Sequence, residues 1–486
     1  MTKTAKLIIT IIFAAVIGFV FTACGNNDDS SNGDSVLSGS IAIYAYGGEC
    51  TETELGTTLT AVYTGAEENV SFQWRRGSAV VGTEDTCIAD IEGIYIVTVS
   101  APGYKSKDSD PISVIDSGGG DVEIGNFFDI TNITQFNNAL SAIKNGYSGE
   151  SYTLNIIGEI TSITPQAMGS SSSCFGSVTD INVTLTGEGT LDTADENGSM
   201  FRIGDGQTLI IDGEDLILYG RKNGQRGHTG SNDVAVIEVE KDGILKIKNG
   251  IISGNFNSAV WVRKDGTFVM EGGEISNNDH AGVSIINGYF DMQGGKIINN
   301  TGVMGGGVLC RSDYQQVICT MTGGEISDNR IDGWGGNFGG GGVYLQTGTF
   351  ILEGGKINNN SSGSDSRTRG GGVYIRSFGT EQFIMRGGEI SGNSSAGYGG
   401  GVYLHESNGS KFIMEDGIVS ANTASAGGGF YVGHNAALEK TNGIIYGQDA
   451  PEGLPNTASL GHAIYYSSGT PINNIAIDDT VTGTLP

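Results

Sequence analysis

Two hydrophobic periodicities divide the chain. Between residues 37 and 115 apolar and polar positions alternate: Ile41-Ala42-Ile43-Tyr44, Thr58-Leu59-Thr60-Ala61-Val62-Tyr63, Val70-Ser71-Phe72-Gln73-Trp74 and Tyr95-Ile96-Val97-Thr98-Val99. A period of two sends successive side chains to opposite faces, so short runs like these, broken by turn residues, predict an antiparallel β-sandwich. From Ile130 to Lys144 the spacing becomes helical, with Ile133, Phe136, Ala139, Leu140 and Ile143 on one face and Thr131 or Asn132 placed to cap it. Asp116-Ser117-Gly118-Gly119-Gly120-Asp121 reads as a linker, which sets the folded parts at 37–115 and 125–486 with residues 116–124 between them.

From Gly250 onward one unit recurs: a Gly-Gly-Val-Tyr-type strand, a Phe-x-Met strand, then Gly-Gly-Glu-Ile-Ser-x-Asn. The reference glycines are Gly250, Gly273, Gly295, Gly324, Gly355, Gly388, Gly417 and Gly443, spaced 22 to 33 residues apart. Repeats of this length mean stacked units, none of which can bury its apolar face alone. Propeller blades need about 40 residues, and a helical solenoid would be richer in Leu and Ala. Three short strands per turn of a right-handed parallel β-helix fit. The segments at Tyr152–Ile157, Val183–Leu185, Leu209–Ile211 and Ile237–Val239 read as less regular coils of the same domain.

Columns read down the stack agree. Two residues past each glycine stand Ile252, Ile275, Ile297, Ile326, Ile357, Ile390, Val419 and Ile445. Five past stand Asn255, Asn278, Asn300, Asn329, Asn360, Asn393 and Asn422, a set that can hydrogen-bond along the axis and that tolerates a left-handed turn. Five before stand Leu245, Phe268, Phe290, Cys319, Phe350, Phe383, Phe412 and Leu438, predicted to stack in the core about 4.8 Å apart. One past, facing outward, the signs alternate through Glu274, Lys296, Glu325, Lys356 and Glu389, which places opposite charges on neighbouring coils. The overall class is therefore all-β: a β-helix preceded by a small sandwich.

The first residues follow other rules. Lys3 and Lys6 precede an apolar run from Leu7 to Phe21, which ends at Phe21-Thr22-Ala23-Cys24. That is an export signal over residues 1–23. A Cys after small residues resembles the lipobox of bacterial lipoproteins, although Phe21 stands where Leu is usual. The resemblance implies diacylation of Cys24, a membrane partner through that lipid, and a lipid-anchored place in the cell envelope, at the outer membrane or cell surface. Residues 24–36, largely Asn, Asp, Ser and Gly, suit a flexible tether. Removing Lys3 and Lys6 takes the formal charge from −28 to −30. A chain so acidic repels nucleic acid, which is excluded as a partner. The 81 glycines follow no collagen period and mark turns between short strands.

Trp74 in a third strand and Gly93-Ile94-Tyr95 before a later one resemble the core Trp and tyrosine corner of immunoglobulin-like domains, with Val97 where the second core Cys would fall. The Gly-Gly-x-Ile units with Phe strands and a trailing Asn, over residues 234–447, resemble the repeats of polymorphic outer-membrane proteins. That resemblance implies a surface β-helix associated with adhesion. The helix at Ile130–Lys144 is similar to the one that caps the N-terminal end of pectate-lyase-like proteins. After export, Cys50 and Cys87 can pair. Cys310 and Cys319 fall in inward columns of one coil, as a disulfide or as two small core residues, and Cys174 has no evident partner.

Two surface features carry the candidate chemistry. Alternation sends Tyr344, Tyr374, Tyr403 and Tyr431 outward, with Trp261 before them and Tyr465 after. Such a stripe is either a platform for sugar rings or a ladder that stabilises itself and binds nothing. The variable loops before the Gly-Gly-Gly runs hold Asp328, Arg330, Asp332 and Trp334 on one coil, then Asp365, Arg367 and Arg369 on the next. Acids and arginines beside a Trp suit a sugar cleft: Asp332 with Asp365 is a candidate carboxylate pair for hydrolysis, and an Arg is the candidate base of a lyase. With no nucleophile–base pair evident and five scattered His, no catalytic residue, metal or cofactor is assigned. The expectation is a non-catalytic rod for adhesion, binding a glycan or the surface protein of a host or neighbour. The alternatives are a polysaccharide lyase or glycoside hydrolase at the Asp–Arg loops, and a purely structural envelope component.

Overall fold

The computed structural model describes residues 35–485, apart from 116–125, 167–172, 222–233, 313–316, 333–338, 377–380, 468–474 and shorter gaps of one or two residues. The leader, Cys24, Cys50, the linker and Trp334 therefore lie outside the described residues. Two compact units divide the chain, Met1–Glu123 and Ile124–Pro486.

In the first unit a six-stranded and a four-stranded sheet share one core. The six-stranded sheet runs Glu52–Glu54, Ile112–Ile115, Gly93–Ser100, Ser71–Arg76 and Ala79–Gly82, with Lys107–Asp108 added on Gly93–Ser100. The other orders Gly48–Glu49, Ile41–Ala45, Thr58–Tyr63 and Thr86–Ile88. Trp74, Tyr95 and Val97 are fully buried between them together with Cys87. The Tyr95 hydroxyl donates to the Ile91 carbonyl at 2.8 Å. Ser35–Val36 pairs in parallel with Tyr104–Lys105.

The second unit is a parallel β-helix of three long sheets with 12, 12 and 11 strands. The first begins at Phe127–Ile130 and ends at Ala437–Lys440, the second begins at Glu159–Ile160, and the third begins at Phe201–Ile203. All strands in these sheets pair in parallel except the last of the second and third. Val481–Thr482 runs against Ile444–Ile445, and Ile475–Ile477 against Ile464–Tyr466. The three sheets enclose one apolar core that runs from Ile130 to Ile464. Phe350, Phe383 and Phe412 stack at 5.0 Å between successive centroids, 8° from parallel, and Phe268 stacks on Phe290 at 5.1 Å. Cys319 interrupts this column, and its Sγ lies 2.9 Å from that of Cys310 inside the same coil. Burial raises both the Cys319 and the Cys174 thiols, the latter to about 12.

The helix Ile133–Lys144 buries Phe136, Ala139 and Ile143 in this core, with Phe136 edge-on to Phe201 at 6.2 Å. Asn132 accepts from the Gln135 backbone at 3.0 Å, while the Gln135 side chain accepts from the Thr131 backbone at 2.8 Å. One orphaned donor of the first turn, and the N–H of the residue before the cap, are thereby satisfied. In the last coil Lys440 takes the place of the preceding methionines and donates to the Gly483 carbonyl at 2.6 Å.

The asparagine column is buried and continuous. Asn278, Asn300, Asn329, Asn360, Asn393 and Asn422 each donate Nδ2 to the Oδ1 of the next Asn at 2.8–3.0 Å. The same Oδ1 accepts the backbone N–H of the preceding Asn, and the second amide proton goes to a core-strand carbonyl, as from Asn360 to Ile326 at 2.8 Å. The column ends on Asn456, which the fixed offset misses because the coil carries an insertion after Gly443. The left-handed turn expected at these asparagines falls one residue earlier, at Asn277, Asn299, Asp328 and Asn359. The alternating charges are in register on neighbouring strands, with Lys356 and Glu389 3.4 Å apart.

Asn360→Ala should therefore lower unfolding stability by about 3 kcal/mol, because buried donors on Asn329 and the acceptors Ile326 O and Asn393 Oδ1 lose partners. Asn277→Gly, on the surface at φ 57°, should change it by less than about 0.5 kcal/mol. Urea unfolding of both variants checks the contrast.

Candidate functional site

The outward face of the third sheet carries two side-chain columns, because alternate residues of each strand point away from the core. One runs Leu309, Tyr344, Tyr374, Tyr403, Tyr431 and Tyr465, in register from strand to strand. The other lies two residues on and holds Arg311, Gln346, Arg376 and His405.

The tyrosines are not exposed. They point away from the main core, yet Tyr344, Tyr374, Tyr403 and Tyr431 are 0%, 0%, 1% and 6% accessible, and they form an apolar cluster of their own with Ala281 and Ala426. The cause is the corner that precedes each strand. There the inserted loops return as a further stacked column, bridging Gly339, Arg369, Tyr398 and Ala426 in parallel. Gly339, Arg369 and Tyr398 each cover the tyrosine of the following coil. A Cβ added at Gly339 would stand 2.7 Å from the Tyr374 ring. The Arg369 guanidinium carbon lies 5.2 Å above the Tyr403 ring, and Tyr398 packs on Tyr431 at 5.0 Å. The triple glycines make this return possible: Gly370 adopts φ 61°, and a Cβ at Gly371 would meet the Ser394 and Gly400 carbonyls at about 2.4–2.5 Å.

Inside the stripe, Tyr344, Tyr374 and Tyr403 meet edge to face at 5.1 and 5.2 Å, and Tyr403, Tyr431 and Tyr465 stack more nearly parallel at 4.9 and 5.3 Å. Arg376 Nη1 donates to the Tyr344 hydroxyl at 3.1 Å. The Tyr431 hydroxyl donates to Glu406 at 3.4 Å. Burial pushes the Tyr374 hydroxyl up to about 12 against the opposing pull of Arg369, so it stays protonated. His405 packs against Tyr374 at 6.2 Å. Burial and then the Arg369 and Arg376 charges hold it below the usual histidine range, so it is neutral at pH 7.

Among the described loop residues, Asp365 and Arg369 turn to different partners. Asp365 is claimed by its own loop: Arg367 donates to it from the backbone at 2.9 Å, from Nε at 3.1 Å and from Nη2 at 2.7 Å. Those bonds hold the Asp365 carboxyl down to about 2. Asp332 is exposed at the end of Arg330–Ile331, and Arg369 turns to the tyrosines. Arg311, Arg376, His405 and Glu406 were missed by motif, although alternation from each Tyr or Leu309 finds the first three.

Two buried polar groups extend the face toward the N-terminus. Arg202 lies 2.6 Å from Glu240 and 3.4 Å from Glu238, and Lys264 lies 2.9 Å from Glu240. Burial raises Glu240, but hydrogen bonds from Lys264 and Arg202 outweigh it and leave the carboxyl lowered. Ser258 Oγ is 3.2 Å from His280 Nδ1 and 2.8 Å from Ser284 Oγ. That is nucleophile–base spacing, but Ser258 is fully buried and beyond reach of a substrate. Among the described residues no three of His, Cys, Asp and Glu stand together to hold a metal, and no helix is long and apolar enough to cross a membrane.

The fold and face define a parallel β-helix protein with a cation–tyrosine flank. Compared with known proteins, the chain matches no family model, no curated protein and no solved structure.

Burial lowers both His280 and His405. The unfolded chain protonates these imidazoles below about pH 6.5 while the folded chain resists, so stability is lost as pH falls through that value. Melting temperature should rise from about pH 5 to about pH 6.5 and level off above it. His280→Asn combined with His405→Gln should flatten the rise, and an unchanged profile would refute the assignment.

Proposed function

We propose that the protein is a lipid-anchored component of a bacterial envelope, in which a right-handed parallel β-helix serves as a rigid, non-catalytic rod that binds a glycan. The observation that carries this reading is the third-sheet face, where Arg369, Arg376 and His405 sit half-buried against a sealed column of tyrosines. A preformed flank of donors on a stiff sheet can fix a polar ligand without ordering a loop to do so. The asparagine column supplies the stiffness. The helix Ile133–Lys144 closes the N-terminal end of the coil, where the unpaired edge of Phe127–Ile130 and the core would otherwise be open. The buried Trp74 and the Tyr95 bond to Ile91 support an immunoglobulin-like spacer. The leader and Cys24 support the lipid anchor.

The enzymatic alternative asks Asp365 to exchange a proton near neutral pH. A carboxyl held at about 2 by Arg367 is poorly suited to that task. Right-handedness follows from the general preference of parallel crossovers.

Purified full chain should be retained by at least one polysaccharide in a panel of acidic and neutral polymers, with no reducing ends or unsaturated products above a heat-denatured control. Product release would overturn the non-catalytic reading, and absence of retention on every polymer would overturn glycan binding. Separately, Cys24→Ala should abolish palmitate incorporation and release the protein from the membrane fraction. Persistent labelling would sink the anchor assignment.

A further inference from the structure

Six cysteines are spread over the chain, and two of them stand in one coil of the core. Cys310 belongs to Val308–Arg311 of the third sheet and Cys319 to Ile318–Met321 of the first, consecutive strands around one corner. Both side chains point into the core, both are fully buried, and their Sγ atoms lie 2.9 Å apart.

The repeat makes this coincidence informative. Cys310 interrupts a column that reads Val239, Val262 and Ile285 before it and Leu345, Ile375 and Leu404 after it. Cys319 interrupts Phe268 and Phe290 on one side and Phe350, Phe383 and Phe412 on the other. Two larger apolar side chains are thus replaced in the same coil, at the two positions that touch. A need for small size alone is met by Ala or Val, which bury no thiol proton. What a touching pair of cysteines adds is the capacity for a covalent bond.

The corner gives such a bond something to hold. Residues 312–317 join the two strands, a longer connection than 264–266 and 287–288 at the same corner of the two coils before. A cross-link from Cys310 to Cys319 closes that loop, and closing a loop stabilises the fold chiefly by restricting the unfolded chain.

Access sets the order of events. Disulfide exchange needs a thiolate and a path for the oxidant. In the folded coil Phe290 and Phe350 flank Cys319, and Ile285 and Leu345 flank Cys310. Burial, and then the hydrogen bond with Cys310, raises the Cys319 thiol. Oxidation therefore precedes closure of the coil, and a bond once enclosed is out of reach of a reductant.

We propose that Cys310 and Cys319 form a disulfide, made by exchange with a disulfide-bearing oxidant while the chain folds and then sealed in the core. Each cysteine loses its S–H proton and one S–S bond forms between them. The oxidant's own disulfide takes up the two electrons and two protons and leaves as a dithiol. In the cell this rests on the envelope reading above, because export to an oxidising compartment supplies such an oxidant.

The test is peptide mapping of the full chain, unfolded in guanidinium with an alkylating agent and no reductant, then cut with trypsin. Cleavage after Lys296, Arg311 and Arg330 puts Cys310 in peptide 297–311 and Cys319 in peptide 312–330, each with that one cysteine. Protein refolded in a glutathione redox buffer should give the two peptides joined and lighter by two hydrogens than their sum. Alkylated thiols at both positions, or either one joined to another cysteine, would overturn the inference. Protein isolated from cell membranes should give the same joined pair. Free thiols there, with the pair joined after oxidative refolding, would overturn the envelope location and leave the bond-forming pair standing. A phosphine reductant should spare the bond in the folded protein and cleave it in urea, and equal cleavage in both would overturn the sealed placement. Chain refolded with reductant should melt about 5 °C below the oxidised chain. In Cys310→Leu with Cys319→Phe, which restores the repeat, reductant should no longer shift melting. An equal shift in wild type and variant would overturn the stabilising role of this pair.

Discussion

The asparagine column is the constraint on which the rest of the β-helix depends. From Asn300 to Asn422 each amide is buried, and each finds its acceptor on the coil after it and its second acceptor on the coil before it. A buried amide left unpaired is costly, so the column tolerates neither a slip of register nor a change in the path of the turn. With register locked at one corner, phenylalanines must stack on phenylalanines and isoleucines on isoleucines. Insertions can then enter only where the chain leaves the stack. The left-handed residue just before each asparagine sets the turn that aims the amide, and its role is filled by Asn, Asp, Gly or Ala.

The second corner shows how that freedom is used. The loops of variable length rejoin the stack as a further parallel column, and the glycines that follow let backbone lie directly against backbone. The result is a second, shallow apolar layer outside the main core, made of the tyrosine rings. Sealing those rings removes an exposed aromatic stripe that would otherwise invite association. It also leaves the charged and hydroxyl groups at their margin as the chemistry this flank presents. The Arg369 guanidinium belongs to this layer as the roof over Tyr403.

Charge is distributed accordingly. Across most of the surface acids and bases interleave, as in the Glu353, Arg386 and Glu415 row of the first sheet. Exposed pairs of this kind add little stability individually, but like charges on neighbouring strands would oppose the register.

The architecture was legible from sequence because a stacked coil converts periodicity into contact. Glycines, isoleucines, asparagines and phenylalanines recurring at fixed offsets specify which residue lies above which, and parallel pairing followed in that register. The amphipathic spacing at Ile133–Lys144 was equally local. What sequence alone could not decide was the environment of residues whose partners arrive from an insertion. Alternation correctly turned Tyr374 and Tyr403 away from the core, but it carried no information about the returning loop that covers them. Nor did the Asp–Arg spacing show that Asp365 would close on Arg367 while Arg369 joined the tyrosines. Asn456 escaped for the same reason, its offset displaced by added residues. Periodicity reports contacts between equivalent positions of a repeat. Contacts between a repeat and its irregular insertions depend on the path of each loop in space, and only the tertiary structure decides that.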